Sequence, residues 1–257
     1  MLLSNLENGV LTLTLNRPER ANAFNAELLG ELLAALRGAA KNPQARTLVI
    51  TGTGRAFGAG QDLGEIQAGG EELSFLQHLR KTYNPLILQL RQLEKPVLAA
   101  INGACAGASL GVALACDMRL AADTASFVVG FNGIGLVPDS AVSLLLPALV
   151  GLGRATELTF TNAPLSAAQA LEWGLVNQVV PAEDLLGETA RWATRLAQGP
   201  VGAYGLTKRA FNRAVLLYLE DVLEYEGQLQ EIAGYGKERR EGVAAFLERR
   251  KPKYAWK

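Results

Sequence analysis

A helix without a polar face has few places to go. Residues 108–116, Ala-Ser-Leu-Gly-Val-Ala-Leu-Ala-Cys, carry almost no polar side chain on any side, and such a helix belongs in a core. It follows an apolar strand expected over 96–101 and the small-residue turn Asn102-Gly103-Ala104-Cys105-Ala106-Gly107. The first turn of this helix therefore aims free backbone N–H groups into the protein interior, where they need a partner. The positive end of the helix dipole favours an anion there. Gly107, Ala108 and Ser109 are small enough for a ligand to reach the backbone. Some thirty residues on, one acid, Asp139, stands in Gly135-Leu136-Val137-Pro138-Asp139-Ser140. Buried donors plus one carboxylate are the minimum equipment for moving a proton beside a carbonyl.

The elements around this centre alternate. A half-buried strand is expected over 9–16, a helix capped by Asn25 over 26–40, and a strand over 46–51 whose continuous Leu48, Val49 and Ile50 predict burial on both faces. A glycine-rich loop follows, from Gly52 to Leu63. Its glycines mean tight turns or close approach to a ligand, and its spacing fits neither a phosphate-binding loop nor a dinucleotide fingerprint. Residues 71–93 have a helical pattern interrupted at Pro85. Short strands are expected over 118–122 and 126–130, helices over 140–150 and 154–160, a Ser166-capped helix closed by Gly174, and a last strand over 176–180. Beyond Pro181 the pattern is helical throughout, broken near Gly199-Pro200, Tyr218 and Gly234-Tyr235-Gly236. The reading is an α/β core over 1–195 with a helical region over 196–257, too thin to fold alone, that docks on the core or on another subunit.

The 257 residues carry 25 acidic and 25 basic side chains, which offers no electrostatic case for nucleic acid or an anionic membrane. No apolar run suits a bilayer span, and the N-terminus has no signal-peptide pattern, so a cytoplasmic protein is expected. Cys105 and Cys116 read as buried small hydrophobes. His78 is the sole histidine. It sits in a polar segment, reads as a structural or surface group, and leaves no basis for a histidine triad or a multi-histidine metal site.

Several spaced motifs resemble the enoyl-CoA hydratase/isomerase (crotonase) family over nearly the whole chain. Thr12 to Pro18 with Asn22-Ala23-Phe24 resembles its opening strand and CoA-cradling loop. Gly54 to Leu63 resembles its first oxyanion loop. Lys95-Pro96-Val97 through Asn102-Gly103 and Gly107 to Cys116-Asp117 resembles the strand and helix of the second oxyanion donor, and Ser166 to Val176 matches a further segment. The resemblance implies a superhelix of ββα repeats with a C-terminal helical trimerisation region, a homotrimer or dimer of trimers, and an acyl-CoA thioester substrate with no separate cofactor or metal. It places the thioester oxygen between the backbone N–H groups of Gln61 and Ala108. It also puts Ala23, Ala59, Gly60, Asp62, Leu63, Gly107, Gly111, Phe131 and Pro138 at the CoA or acyl group.

The departures bear on the activity. The two glutamates of the family's hydratases would fall at Gly111 and Phe131, and neither is an acid. The segment carrying Asp139 resembles instead the phenylacetate-degradation isomerases, which act on 1,2-epoxyphenylacetyl-CoA, although Ala141 stands where a glycine usually follows the serine. Asp139 then reads as the catalytic base in preference to a helix N-cap. A Δ3-Δ2 enoyl-CoA isomerase and a non-catalytic acyl-CoA-binding protein remain as the alternatives.

Overall fold

The structure is a computed structural model that describes residues 1–68 and 74–254. Two strands open the chain, β1 (Leu2–Glu7) and β2 (Val10–Leu15), antiparallel about Asn8-Gly9. Both turn residues have positive φ, 51° and 80°, the geometry for which Asn-Gly is the strongest short hairpin signal. The alternation of β2 predicts a strand, whereas β1, mostly exposed, shows no inward face to predict one.

Helix α1 (Ala26–Lys41) begins where expected, with the Asn25 side chain accepting from the Leu28 N–H. Strands β3 (Thr47–Gly52) and β4 (Ala56–Gly58) follow, then α2 (Leu63–Ala68), α3 (Phe75–Lys81) and α4 (Tyr83–Gln92). The helical pattern expected from 71 lies outside the described residues as far as 73. Its break comes at Thr82 and not at Pro85. Pro85 sits in the first turn of α4, where its missing N–H has no intrahelical partner to lose.

Strands β5 (Val97–Ile101) and β6 (Ala104–Ala106) lead into α5 (Ala108–Ala115), all eight of whose residues are buried. Strands β7 (Met118–Ala122) and β8 (Ser126–Val128) lead into α6 (Val142–Val150). Helix α6 starts at Val142, two residues later than predicted from sequence, because Ser140 and Ala141 are left-handed, with φ of 56° and 63°. It runs through Pro147 without ending there. Helix α7 (Leu152–Thr161), strand β9 (Leu165–Ser166), helix α8 (Ala167–Glu172) and strand β10 (Gln178–Val180) complete the mixed part of the chain. Ser166 and Gln169 close α8 with a reciprocal capping box.

Long strands form one sheet in the order β1-β2-β3-β5-β7-β10, and short ones a second, β4-β6-β8-β9. Three successive units each place one strand in the large sheet and the next in the small one before turning into a helix. These are the repeated ββα turns of a crotonase-type superhelix. The parallel pairing of β3, β5 and β7 buries β3 along most of its length, as its apolar run demands.

Four helices end the chain: α9 (Leu185–Ala197), α10 (Val201–Val215), α11 (Leu219–Gly234) and α12 (Lys237–Leu247). Helix α9 crosses the expected boundary at 195 and packs on the large sheet. Helix α11 lies on α3, α4 and α6, and α12 on the 3-10 turn Asn132–Ile134. The helical region therefore docks on its own core. Among the described residues no helix is long and apolar enough to cross a membrane.

Candidate active site

Three loops meet at the start of α5. The first, over 17–25, is held by Asn22, which is fully buried. The Asn22 amide donates to the carbonyls of Thr53 (2.9 Å) and Ala56 (2.7 Å), and its oxygen accepts the Arg17 N–H at 2.9 Å. The first loop is thereby fastened to the second. Phe24 N–H donates to Gly60 O and Asp62 N–H to Phe24 O, both at 2.7 Å. This bridge skips Gln61, whose own N–H has no acceptor among the described residues.

The second loop is pinned to α5 by one hydroxyl. Ser109 Oγ accepts the Gly60 N–H at 2.9 Å. A Cβ on Gly58 would lie 2.3 Å from that oxygen, so only glycine allows the approach. A Cβ on Gly60 would lie 3.5 Å from the Ala108 nitrogen, which sets the two loops side by side. Gly107 precedes α5 at φ 55°, and its carbonyl accepts from Leu110 and Gly111. The Ala108 N–H, first in the helix, has no acceptor among the described residues. Gln61 and Ala108, each with a backbone N–H that has no acceptor among the described residues, both line a cavity of about 280 Å³.

Asp139 lines the same cavity and is 6 % exposed. It does not cap α6, whose N-cap residue is Ala141 and which has no side-chain cap. Its Oδ1 accepts the Ser140 hydroxyl (2.8 Å) and its Oδ2 the Gln230 amide (2.7 Å). Burial pushes its pKa up to about 6, against those two hydrogen bonds, which favour the ionised form. A carboxyl so tuned is a base near neutral pH. Ala141, where the resemblance expects glycine, adopts the left-handed conformation that glycine favours.

Ala59, Gly60, Leu63, Gly107 and Phe131 also line the cavity. Four others that the resemblance puts at the CoA or acyl group are not on this cavity wall. Asp62 is a brace, its carboxylate paired with Arg17 at 3.0 Å and accepting the Gly64 N–H. Gly111 faces the Asp139 turn: a Cβ there would lie 2.6 Å from the Ser140 Cβ. A glutamate at that position could not share this packing. Ala23 and Pro138 lie in the flanking loops, outside the cavity wall.

His78 has the structural one of the two roles expected for it, structural or surface. It is half-buried on the cavity wall, with Nε2 at 3.2 Å from Gln61 Oε1 and its ring edge-on to Tyr83. Burial lowers its pKa, so the ring is neutral at neutral pH. Buried Tyr83 donates its hydroxyl to Gln61 Oε1 at 2.7 Å, and burial holds its pKa well above the ordinary value. Gln230 of α11 and Arg239 and Phe246 of α12 line the cavity too. No local signal marks them, because a glutamine or arginine on a mixed helix looks like part of a solvent face. A wider cleft of about 420 Å³ lies beside α10. Two of its cations, Arg91 and Lys208, are already paired with Asp117.

Taken together, two residues whose backbone N–H groups have no acceptor among the described residues and one buried carboxylate line a single cavity on a superhelix of ββα units. Residues 5–257 match the sequence profile described as enoyl-CoA hydratase/isomerase, and the chain belongs to that family. It is 42 % identical to 1,2-epoxyphenylacetyl-CoA isomerase of Escherichia coli, over 100 % of this chain and 98 % of that one. It is 36 % identical to the trans-2-decenoyl-acyl-carrier-protein isomerase of Streptococcus mutans, again over 100 % and 98 %. Among solved structures, an enoyl-CoA hydratase of Mycobacterium avium subsp. paratuberculosis superposes with a TM-score of 0.89 at 34 % identity, covering 99 % of this chain and 98 % of that one.

Proposed function

We propose that the protein is an acyl-CoA isomerase that moves a proton between carbons of a thioester-activated acyl group, with Asp139 as its single base. The observation that carries this reading is one buried carboxylate on a cavity whose other wall presents two unpaired backbone N–H groups. The thioester oxygen sits between the N–H groups of Gln61 and Ala108. As a proton leaves the acyl chain, charge grows on that oxygen, and each preorganised donor contributes about 3 kcal/mol to holding it. Asp139 takes the proton at one carbon and returns it at another. Coenzyme A arrives as part of the substrate, and no step needs a further cofactor.

The substrate we favour is 1,2-epoxyphenylacetyl-CoA, giving oxepin-CoA. The segment around Asp139 supports it, as does the 42 % identity to the enzyme named for that substrate. Phe75, Tyr83 and Phe131 make an aromatic wall suited to a ring. A Δ3-Δ2 enoyl-CoA isomerase would use the same parts. Hydration is disfavoured: it takes two carboxylates to hold and activate a water, and Gly111 and Phe131 stand at the positions in question. The apolar side chains left exposed on α10, Leu206, Phe211 and Val215 among them, support a homotrimer or dimer of trimers.

The test is turnover of a panel of CoA thioesters, with products identified by mass spectrometry, on wild type and Asp139→Asn. The reading expects isomerised products and little hydration of crotonyl-CoA. Asparagine preserves size and can accept from Gln230 while donating to Ser140. Turnover should therefore fall by about a hundredfold or more while thioester binding holds. Undiminished turnover in Asp139→Asn would remove the proposal.

A further inference from the structure

The chain around Asp139 is held in an unfavourable shape. Ser140 and Ala141 are consecutive non-glycine residues in the left-handed region, a conformation that persists only where the surroundings enforce it. Part of the enforcement is steric, since Ser140 packs on Gly111 of α5. The rest comes from one face of α11, some eighty residues away in sequence.

Glu226 is 3 % exposed and has no cation beside it among the described residues. Its Oε2 accepts the Ala141 N–H at 2.8 Å, and its Oε1 accepts the Ser143 N–H at 3.0 Å and the Ser143 hydroxyl. The two N–H partners can only donate, so these bonds to the turn and the first helical residues favour the ionised carboxylate. Desolvation opposes this and raises its pKa to about 7, while the bonds pull the other way. One helical turn on, Gln230 is 2 % exposed. Its amide nitrogen donates to Asp139 Oδ2 at 2.7 Å, and its oxygen accepts the Val137 N–H at 3.2 Å. The Val137 contact fixes which way the amide points, so that its NH2 group faces the carboxylate. Residues i and i+4 of a helix share a face. Glu226 and Gln230 thus grip the Asp139 segment on both sides, at 137 and at 141–143.

We propose that Glu226 and Gln230 are positioning residues for Asp139: Glu226 holds the strained turn in place, and Gln230 orients the carboxylate and favours its ionised form. This rests on the reading of Asp139 as the base. The hydroxyl of Ser140 lies on the other carboxylate oxygen. Glu226 and Tyr83 feel the Asp139 charge from the packed elements, and His78 and Arg239 line the same cavity. Among the described residues no cation pairs with Asp139, so the Gln230 amide is the main external support for its charge.

The experiment compares Gln230→Met, Glu226→Ala, Glu226→Gln and Asp139→Asn. It reads kcat against pH on a turned-over enoyl-CoA thioester, affinity for a non-reactive thioether analogue of CoA, and melting. Gln230→Met should lower kcat about tenfold and move its acid limb about one pH unit upward, because the lost donor favoured the carboxylate. Analogue affinity should stay within about twofold, since Gln61 and Ala108 bind through backbone. Glu226→Ala should lower kcat by about tenfold or more, and Glu226→Gln, which keeps one acceptor oxygen, should recover part of the loss. Should Glu226→Ala fail to fold, Gln230→Met decides. If Gln230→Met and Glu226→Gln melt lower but keep wild-type kcat and acid limb, while Asp139→Asn is dead, the positioning role is wrong and the base assignment stands. A fully active Asp139→Asn would bring down both.

Discussion

The two walls of the cavity are made from different material. The proposed oxyanion wall is backbone: the Gln61 and Ala108 N–H groups, set by a bridge between residues 24 and 61 and by the start of a buried helix. The proposed base wall is a side chain, Asp139, hydrogen-bonded by a helix whose Gln230 is 91 residues away in sequence. Short of proline, no substitution deletes a backbone donor; it can only be displaced. A side-chain base can be removed outright, and its pKa depends on every neighbour. The first wall should therefore fail by wedging, with its pH dependence intact, and the second by loss of charge or orientation, with its pH dependence altered.

Wedging gives the largest effect. Gly58→Val would drive its Cβ into Ser109, with only 2.3 Å to the hydroxyl oxygen, and part the oxyanion loop from α5. Turnover is expected to fall by about 10²–10³, the scale for losing one oxyanion donor, and steady-state assays alongside circular dichroism will separate this from unfolding. Ser109→Ala is gentler. It strands the buried Gly60 N–H at a cost of about 1–3 kcal/mol, and kcat should drop about tenfold. The acid limb of the pH profile should stay put, unlike that of Gln230→Met, and a shift would mean the two walls are coupled.

The base wall makes a prediction about stability as well. Burial raises the Asp139 pKa from 3.8 to about 6, so the folded protein binds this proton more tightly than the unfolded chain does. Stability from this group is thus greatest at low pH and is lost as pH rises from about 4 through about 6. Asp139→Asn should melt a few degrees above wild type at pH 8, with the gap closing towards pH 4, as scanning calorimetry at both ends will register. A constant gap would point to packing and not to charge. The smallest effect belongs to His78→Gln. Its ring touches the side chain of Gln61 and not the backbone donor, so KM should change by a few-fold at most, with kcat and the acid limb unmoved.

Much of the fold was legible because its pieces are locally determined. The Ala108–Ala115 helix is apolar on all sides and can only be buried. The Asn25 cap, the Ser166-Gln169 capping box and the Leu48-Val49-Ile50 run each state their structure within a few residues. The free N–H groups at the start of α5 belong to this class, since a small-residue turn before a buried helix already specifies them, whereas Gln61 was placed by the family resemblance alone. What went unread was the Asn8-Gly9 hairpin, where an exposed strand shows no inward face, and Pro85, which sits inside α4 because the first turn of a helix tolerates it.

The amino-acid sequence by itself determined the α/β class, the family motifs, the buried helix and the candidate acid Asp139. Only the tertiary structure decided that Gly111 opposes Ser140, that Asp62 braces Arg17, that His78 lies on the cavity wall and that α11 bonds to Asp139. The reason is physical. Periodicity and capping act over one or two turns of chain, whereas a buried glutamine or glutamate is polar in sequence wherever it ends up. Whether it meets water or a carboxylate depends on which distant helix the core folds beneath it.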